Sequence, residues 1–407
     1  MKTMRKTGAF LFLMIAASMF MMVSCDSKNK SLSYCVNWDG SFHEGMAFVY
    51  VDDKAGFIDK SGKIVISPQY DGVCPFSGGL ARVYNHASNV YGEEKYGFID
   101  KQGKPVTELQ YDLAYDFSEG LALVKVGERY GFIDKQGNYI ANPQFDFANG
   151  FSEGLANVRI GDKWGYIDKT GHYVFTPQFE GARPFRQGLA PVSICLNPDR
   201  PYHKSWGYID KQGVFVIPPV FDDAYCFTSD GLARVEINVG NEWGYNYKWG
   251  YVNKKGEFAI IPQFDFAEGF DEGVALVGFG ENFVDNAKYG YINKKGDYIV
   301  RPQFDNFRSY FSEGLAAVKF AGRFGYIDKE GKYVINPQFD WSESFTEGLA
   351  SVRVGEKYGF VDKEGHYVIH PQFDYAVGFS EGLAAVKLGE RKGFINKKGE
   401  WVIDNGK

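Results

Sequence analysis

The sequence predicts an all-β repeat array. Three observations carry that prediction. A core of Gly, an aromatic, Ile or Val, Asp or Asn, then Lys recurs ten times, at Gly56, Gly97, Gly131, Gly165, Gly207, Gly250, Gly290, Gly325, Gly359 and Gly393. A second glycine stands six residues after each of these, from Gly62 to Gly399. No helical period of any length runs through the chain. The expected architecture is ten units of roughly 34–43 residues, each of about three short antiparallel strands. An open, curved or superhelical stack is the expected arrangement, with a propeller-like closed ring as the alternative.

Each element of the unit has a physical reading. Gly154-Leu155-Ala156-Asn157-Val158 supplies a first short strand. Tyr166-Ile167 and Tyr173-Val174-Phe175 flank Asp168-Lys169-Thr170-Gly171, in which Asp bonds back to the chain and Gly closes the turn, so the two runs form a hairpin. Pro follows twelve residues after the repeat glycine in eight units, as at Pro68 and Pro371, and is expected to end the strand because it cannot donate to a ladder. Such a unit is too small to bury its own apolar face and must stack on its neighbours. The 17% aromatic content is mostly used this way, with the repeat glycines marking places where a ring or a neighbouring backbone packs closely.

The unit reads approximately F-S-E-G-L-A-x-V-loop-W-G-Y-I-D-K-x-G-x-Y-V-I-x-P-Q-F-D, with the fuller Trp-Gly-Tyr form at Trp164-Gly165, Trp206-Gly207 and Trp249-Gly250. This pattern resembles the WG β-repeat family of bacteria over nearly all of Phe42 to Ile403. The resemblance implies a fold and leaves function open, since that family is mostly uncharacterised. An aromatic precedes the repeat glycine in the eight inner units, but Ala55 does in the first and Lys392 in the last. Those substitutions suggest capped ends of an open stack.

Length variation is concentrated in one connection. From the Leu of Leu-Ala (Met46 and Val274 in two units) to the repeat glycine the interval is 10 in six units and 17, 18, 18 and 16 in units two, five, six and seven. The three consecutive long connections, in units five to seven, carry Tyr202, His203, Trp243, Tyr245, Tyr247 and Phe283 among polar residues. Insertions on one face of a repeat protein often mark its binding side, so these six form the expected ligand-binding set.

The chain begins like an exported lipoprotein. Lys2, Arg5 and Lys6 precede an uncharged apolar stretch from Ala9 to Val23, too short for a transmembrane helix and suited to a secretory signal. Met22-Val23-Ser24-Cys25 resembles a lipobox, with Met22 where Leu is usual, which implies cleavage before a lipidated Cys25. The expected organisation is a signal peptide at 1–24, lipidated Cys25 and a tether through 41, the array over 42–403 and a tail at 404–407, on the periplasmic side or surface of a bacterial cell envelope.

Other chemistry is sparse. A net charge of −6 argues against nucleic acid as a partner. Cys35, Cys74, Cys195 and Cys226 lack metal-type spacing and could pair between neighbouring units (Cys35 with Cys74, Cys195 with Cys226) or remain free thiols. His366 and His370 flank a strand, about 13 Å apart by strand rise, too far for a metal pair. Recurrent Glu119, Glu153, Glu313, Glu347 and Glu381, and Asp134, Asp168 and Asp328, read as turn residues rather than catalytic acids. Neither cofactor, metal nor catalytic site is expected. The expected function is a non-catalytic binding or scaffolding surface for a protein or peptide, with a glycan or peptidoglycan binder as the alternative.

Overall fold

The computed structural model describes residues 41–86, 93–196, 204–240, 246–280, 288–304 and 310–404. They form ten antiparallel sheets, each a meander in chain order. Unit four is representative, with strands Phe147–Ala148, Leu155–Ile160, Lys163–Asp168 and Tyr173–Phe179. The expected three strands are present in nine of the ten units, the second keeping only isolated bridges at Pro105 and Tyr111 in place of the third, and eight of the ten sheets carry a two-residue strand ahead of the others. In unit four it pairs Phe147 with Arg159 and Ala148 with Val158. Two residues show no alternation that a sequence could reveal.

The apolar core is distributed over the seams between sheets. Leu121, Phe132 and Phe145 of unit three pack with Ala156, Val158 and Ile167 of unit four. Every successive pair of units shares such a cluster, as the alternation of strand faces requires. The tenth cluster joins the last unit to the first, with Leu383, Ala385 and Phe394 against Phe42, Ala47, Val49 and Ile58. Phe42 and Phe394 meet edge-on, 4.9 Å between ring centroids. The units are therefore the blades of a ten-bladed β-propeller, the closed alternative, and the open stack is corrected. The reading of Ala55 and Lys392 as caps falls with it. Ala55 is fully buried in the first seam, where Phe48 and Tyr50 supply the missing ring. Lys392 faces Lys387 across its sheet.

The repeat glycine is required by the proline strand. That strand does not stop at Pro. Tyr173–Phe179 runs through Pro177 along a sheet edge, where a missing N–H is tolerated, with register shifts against its neighbour. The shifts bring its backbone over Gly165, whose Cβ would lie 2.4 Å from the Phe175 carbonyl oxygen and 2.8 Å from the Pro177 nitrogen. The second glycine has two roles. Gly62 takes φ 83 in its turn, and a Cβ there would already touch Ile403 of the last blade at 3.1 Å.

Strand direction sorts the connections. The Phe-Ser-Glu-Gly and Asp-Lys-x-Gly turns lie at one end of every blade, and the variable connection at the other. The described strands that flank the long connections of blades five, six and seven thus end and begin at one end of the ring, over consecutive blades.

Candidate functional site

At the turn end, each blade grips the next. Glu153 and Gly154 both have positive φ, 54 and 88, inside a turn closed by hydrogen bonds between Ser152 and Leu155. A glutamate in that conformation costs about 1 kcal/mol. The acid recovers it across the seam. Glu119 of blade three accepts the N–H of Gly154 at 2.9 Å and pairs with Lys169 of blade four at 3.0 Å. The pattern repeats with Lys211 on Glu153, Lys363 on Glu313, Lys397 on Glu347 and, across the closing seam, Lys60 on Glu381. Burial alone would raise the Glu119 pKa, but Lys169 and the backbone N–H groups outweigh it and hold the carboxyl below its usual value. Serine hydroxyls add a second bond, Ser118 to the Phe151 carbonyl at 2.8 Å and Ser380 to that of Phe42 at 2.7 Å. The Tyr166 hydroxyl also crosses a seam, donating to the Arg183 carbonyl at 2.7 Å. Blade two departs from the pattern, since Gly78 replaces the acid and Lys135 reaches only its carbonyl.

The variable end has a second set of acids, which the sequence reading left unassigned. Asp146, between blades three and four, pairs with Arg129 of blade three and accepts the N–H of Gly161 in blade four at 2.6 Å. Asp374 does the same with Lys357 and Gly389. The recurrent Asp after Pro-Gln-Phe was the available signal. Its partner lies 15 to 17 residues away, outside any local turn rule.

Of the six expected ligand residues, Tyr247 is described, at the start of Tyr247–Val252 and 41% exposed. Tyr202, His203, Trp243, Tyr245 and Phe283 lie outside the described residues, as do Cys25 and Cys35. Beside the long connections is a stack that the sequence did not suggest. The Arg183 guanidinium lies 4.6 Å from the Trp206 ring centroid and 3.7 Å from that of Tyr225, and Arg234 lies 3.9 Å from Tyr225 on its way to Trp249. Both arginines are anchored by acids of the next blade, Asp223 and Glu268. Glu236 stands between Asp223 and Trp249 as a direct cross-strand neighbour of each. Burial, with Asp223 and Asp222 beside it, pushes the Glu236 carboxyl up to about 7.

No disulfide joins any two of the described cysteines Cys74, Cys195 and Cys226, so the Cys195–Cys226 pair is not formed. Burial pushes the Cys226 thiol up, and its S–H donates to the Pro184 carbonyl at 3.2 Å. His366 and His370 do not converge. His366 instead lies in an exposed turn with Asp362 and Glu364, their ligand atoms within 4.8 Å of one another. His366 and Asp362 already bond to each other there, as turn residues do.

Comparison with solved structures finds matches at low identity. A eukaryotic initiation factor structure matches over 80% of this chain and 85% of its own, at 11% identity and a TM-score of 0.48. The β-propeller domain of the Trilobed protease from Pyrococcus furiosus, described as having an open velcro topology, matches over 74% and 98%, at 10% identity and a TM-score of 0.34. No curated protein sequence matches the chain. The family model described as WG containing repeat matches ten times, over residues 56–85, 96–130, 130–164, 164–194, 206–243, 249–282, 289–323, 324–358, 358–391 and 393–404. With those matches covering most of its length, the chain belongs to the WG-repeat family.

Proposed function

We propose that the protein is a non-catalytic binding or scaffolding ring, held at a bacterial membrane through lipidated Cys25, that takes a protein or peptide partner on the variable end of blades five to seven. The observation that carries this reading is the concentration of nearly all insertion in one connection, long in blade two and in the three consecutive blades five to seven, at one end of the ring. The engaged state of the recurrent acids supports the non-catalytic part. Glu119, Glu313 and Glu381 are held in seams by lysines and backbone N–H groups, not poised as an acid and base pair of differing environment. Shortening the connections of blades five to seven to the interval of blade four, in the full chain, should abolish partner capture from an envelope extract. Undiminished capture would contradict the reading. Cys25→Ser should move the chain out of the membrane fraction, and retention there would contradict the anchor.

A glycan or peptidoglycan ligand is the second reading. It is favoured by Trp341, 41% exposed with Arg353 directly across the strand pair, a ring and a cation suited to a sugar face and its acidic substituents. Co-sedimentation with cell-wall polysaccharide separates the two.

A further inference from the structure

The grip between blades at the turn end is incomplete in one seam. Glu44 with Lys101, Asp230 with Lys294 and Glu272 with Lys329 join the five pairs already named, so eight of the ten seams hold a carboxylate against a lysine. In seven of these eight the carboxylate also accepts the N–H of the next blade's turn glycine, as Glu313 does from Gly348 at 3.0 Å. Between blades five and six Gln187 stands at the acid's position and turns its amide oxygen to Lys254 at 3.4 Å. Between blades two and three the position is Gly78, which brings no side chain at all.

The donors that hold the acid elsewhere are in place here. Glu119 and Gly120 of blade three have φ 53 and 89, against 54 and 88 for Glu153 and Gly154. Their two N–H groups therefore form the same concavity that, one seam on, receives the Glu119 carboxylate at 2.6 and 2.9 Å. Lys135 donates to the Gly78 carbonyl at 2.6 Å, the bond that Lys169 makes to the Glu119 carbonyl at 3.1 Å and Lys363 to that of Glu313 at 3.0 Å. Neither neighbouring acid reaches the place, since Glu44 is taken by Gly79 and Lys101, and Glu119 by Gly154 and Lys169. Among the described residues the Gly120 N–H makes no hydrogen bond and Lys135 pairs with no carboxylate. Gly78, Gly120 and Lys135 are exposed.

We propose that the seam between blades two and three is a carboxylate-binding site, in which the Lys135 ammonium and the N–H groups of Glu119 and Gly120 receive a carboxylate from outside the chain. The ligand class follows from the other seams, where the same kind of donor set holds the chain's own acid. A free small carboxylate and the acidic side chain of a peptide share that chemistry. The site lies on the turn end, opposite the variable connections, and does not rest on the partner reading above.

The test is amide NMR on the full chain with isotope-labelled glycine, titrated with sodium acetate against sodium chloride at equal ionic strength. The Gly120 amide should shift saturably with acetate and not with chloride. The Gly154 amide, whose carboxylate is built in, should stay where it is. Lys135→Ala should weaken acetate binding about fivefold. Gly78→Glu supplies the chain's own acid and should fold. Glutamates at this position in other blades take φ from 50 to 54, Gly78 has φ 62, and an added Cβ would meet only the end of the Lys135 side chain, at 3.2 Å. In that variant the Gly120 amide should start near its acetate-saturated position and no longer respond. A Gly120 amide that answers chloride as it does acetate, a Gly154 amide that moves equally, or a folded Gly78→Glu variant whose Gly120 still responds would each overturn the proposal. A capped, otherwise neutral peptide with one glutamate, set against its glutamine counterpart, separates the sources. Binding about tenfold or more tighter than acetate assigns the site to a peptide side chain, and weaker binding than that to a free carboxylate.

Discussion

Glu381 in the last blade accepts the backbone N–H of Gly45 in the first at 3.0 Å, across 336 residues of chain. Lys60 binds the same carboxylate at 3.0 Å. The contact reproduces, at the meeting of the two termini, the grip of Glu313 on Gly348 at an interior seam. Glu381→Ala should therefore cost about as much as Glu313→Ala, about 1–2 kcal/mol each. Denaturant unfolding of both variants checks this. In an open array Glu381→Ala would be silent.

The seam carboxylates should make the ring acid-sensitive. At Glu313 and Glu381 burial raises the pKa, but a lysine and backbone N–H groups outweigh it and hold each below the usual 4.5. A group depressed in the folded state stabilises above its unfolded pKa, and that stability is lost as pH falls through the folded value. The unfolding midpoint should thus drop progressively below pH 4.5. In Glu313→Gln that acid dependence should be shallower. An unchanged pH profile would show that the pairs contribute nothing.

The glycines of one hairpin should differ sharply. Gly165→Ala would set a methyl 2.4 Å from the Phe175 carbonyl and should cost about 3 kcal/mol or more by overpacking. Gly161→Ala meets no atom within 4 Å and suffers only from its φ of 60, so about 1 kcal/mol is expected. Thermal unfolding of the two variants checks the ranking. Similar losses would show that backbone crossing does not require the repeat glycine.

The ion pair at the variable end is a further test. Asp146→Ala removes the acceptor for Gly161 N–H and the partner of Arg129, so it should cost about 1–2 kcal/mol. Arg129→Ala leaves Asp146 bonded to Gly161 and should cost less, since its own side chain is half exposed. Equal losses would place the effect in the ion pair alone.

What could be read in the sequence was local. The Asp168 turn forms as expected, its carboxylate accepting the N–H groups of Thr170 at 2.8 Å and His172 at 3.1 Å. The glycine before Tyr166 marks a close backbone, as expected, although only the structure shows that the backbone belongs to the proline strand. Closure was not legible, because Phe42 and Phe394 are the same residue types that fill every interior seam. Ala55 misled for a related reason. The ring it lacks is supplied by Phe48 and Tyr50 from the neighbouring strand, and a single-position comparison cannot see that. Glu119 is a turn residue, as its recurrence suggests and its φ of 53 confirms, but its carboxylate acts in the next blade. The candidate site was legible only as a connection of variable length. The Arg183–Tyr225–Arg234 stack and the facing carboxylates of Asp223 and Glu236 depend on strand register, which the repeat pattern does not specify.

The central claim is that the last blade packs on the first. Gly62 and Ile403 report on it most directly, because a Cβ at position 62 would lie 3.7 Å from the Cβ of Ile403, within the range a disulfide spans. Gly62→Cys combined with Ile403→Cys in the full chain, oxidised and mapped by mass spectrometry, should give an intramolecular disulfide between those two positions at a yield independent of protein concentration. Free thiols at both positions, or links found only between chains, would contradict a closed ring.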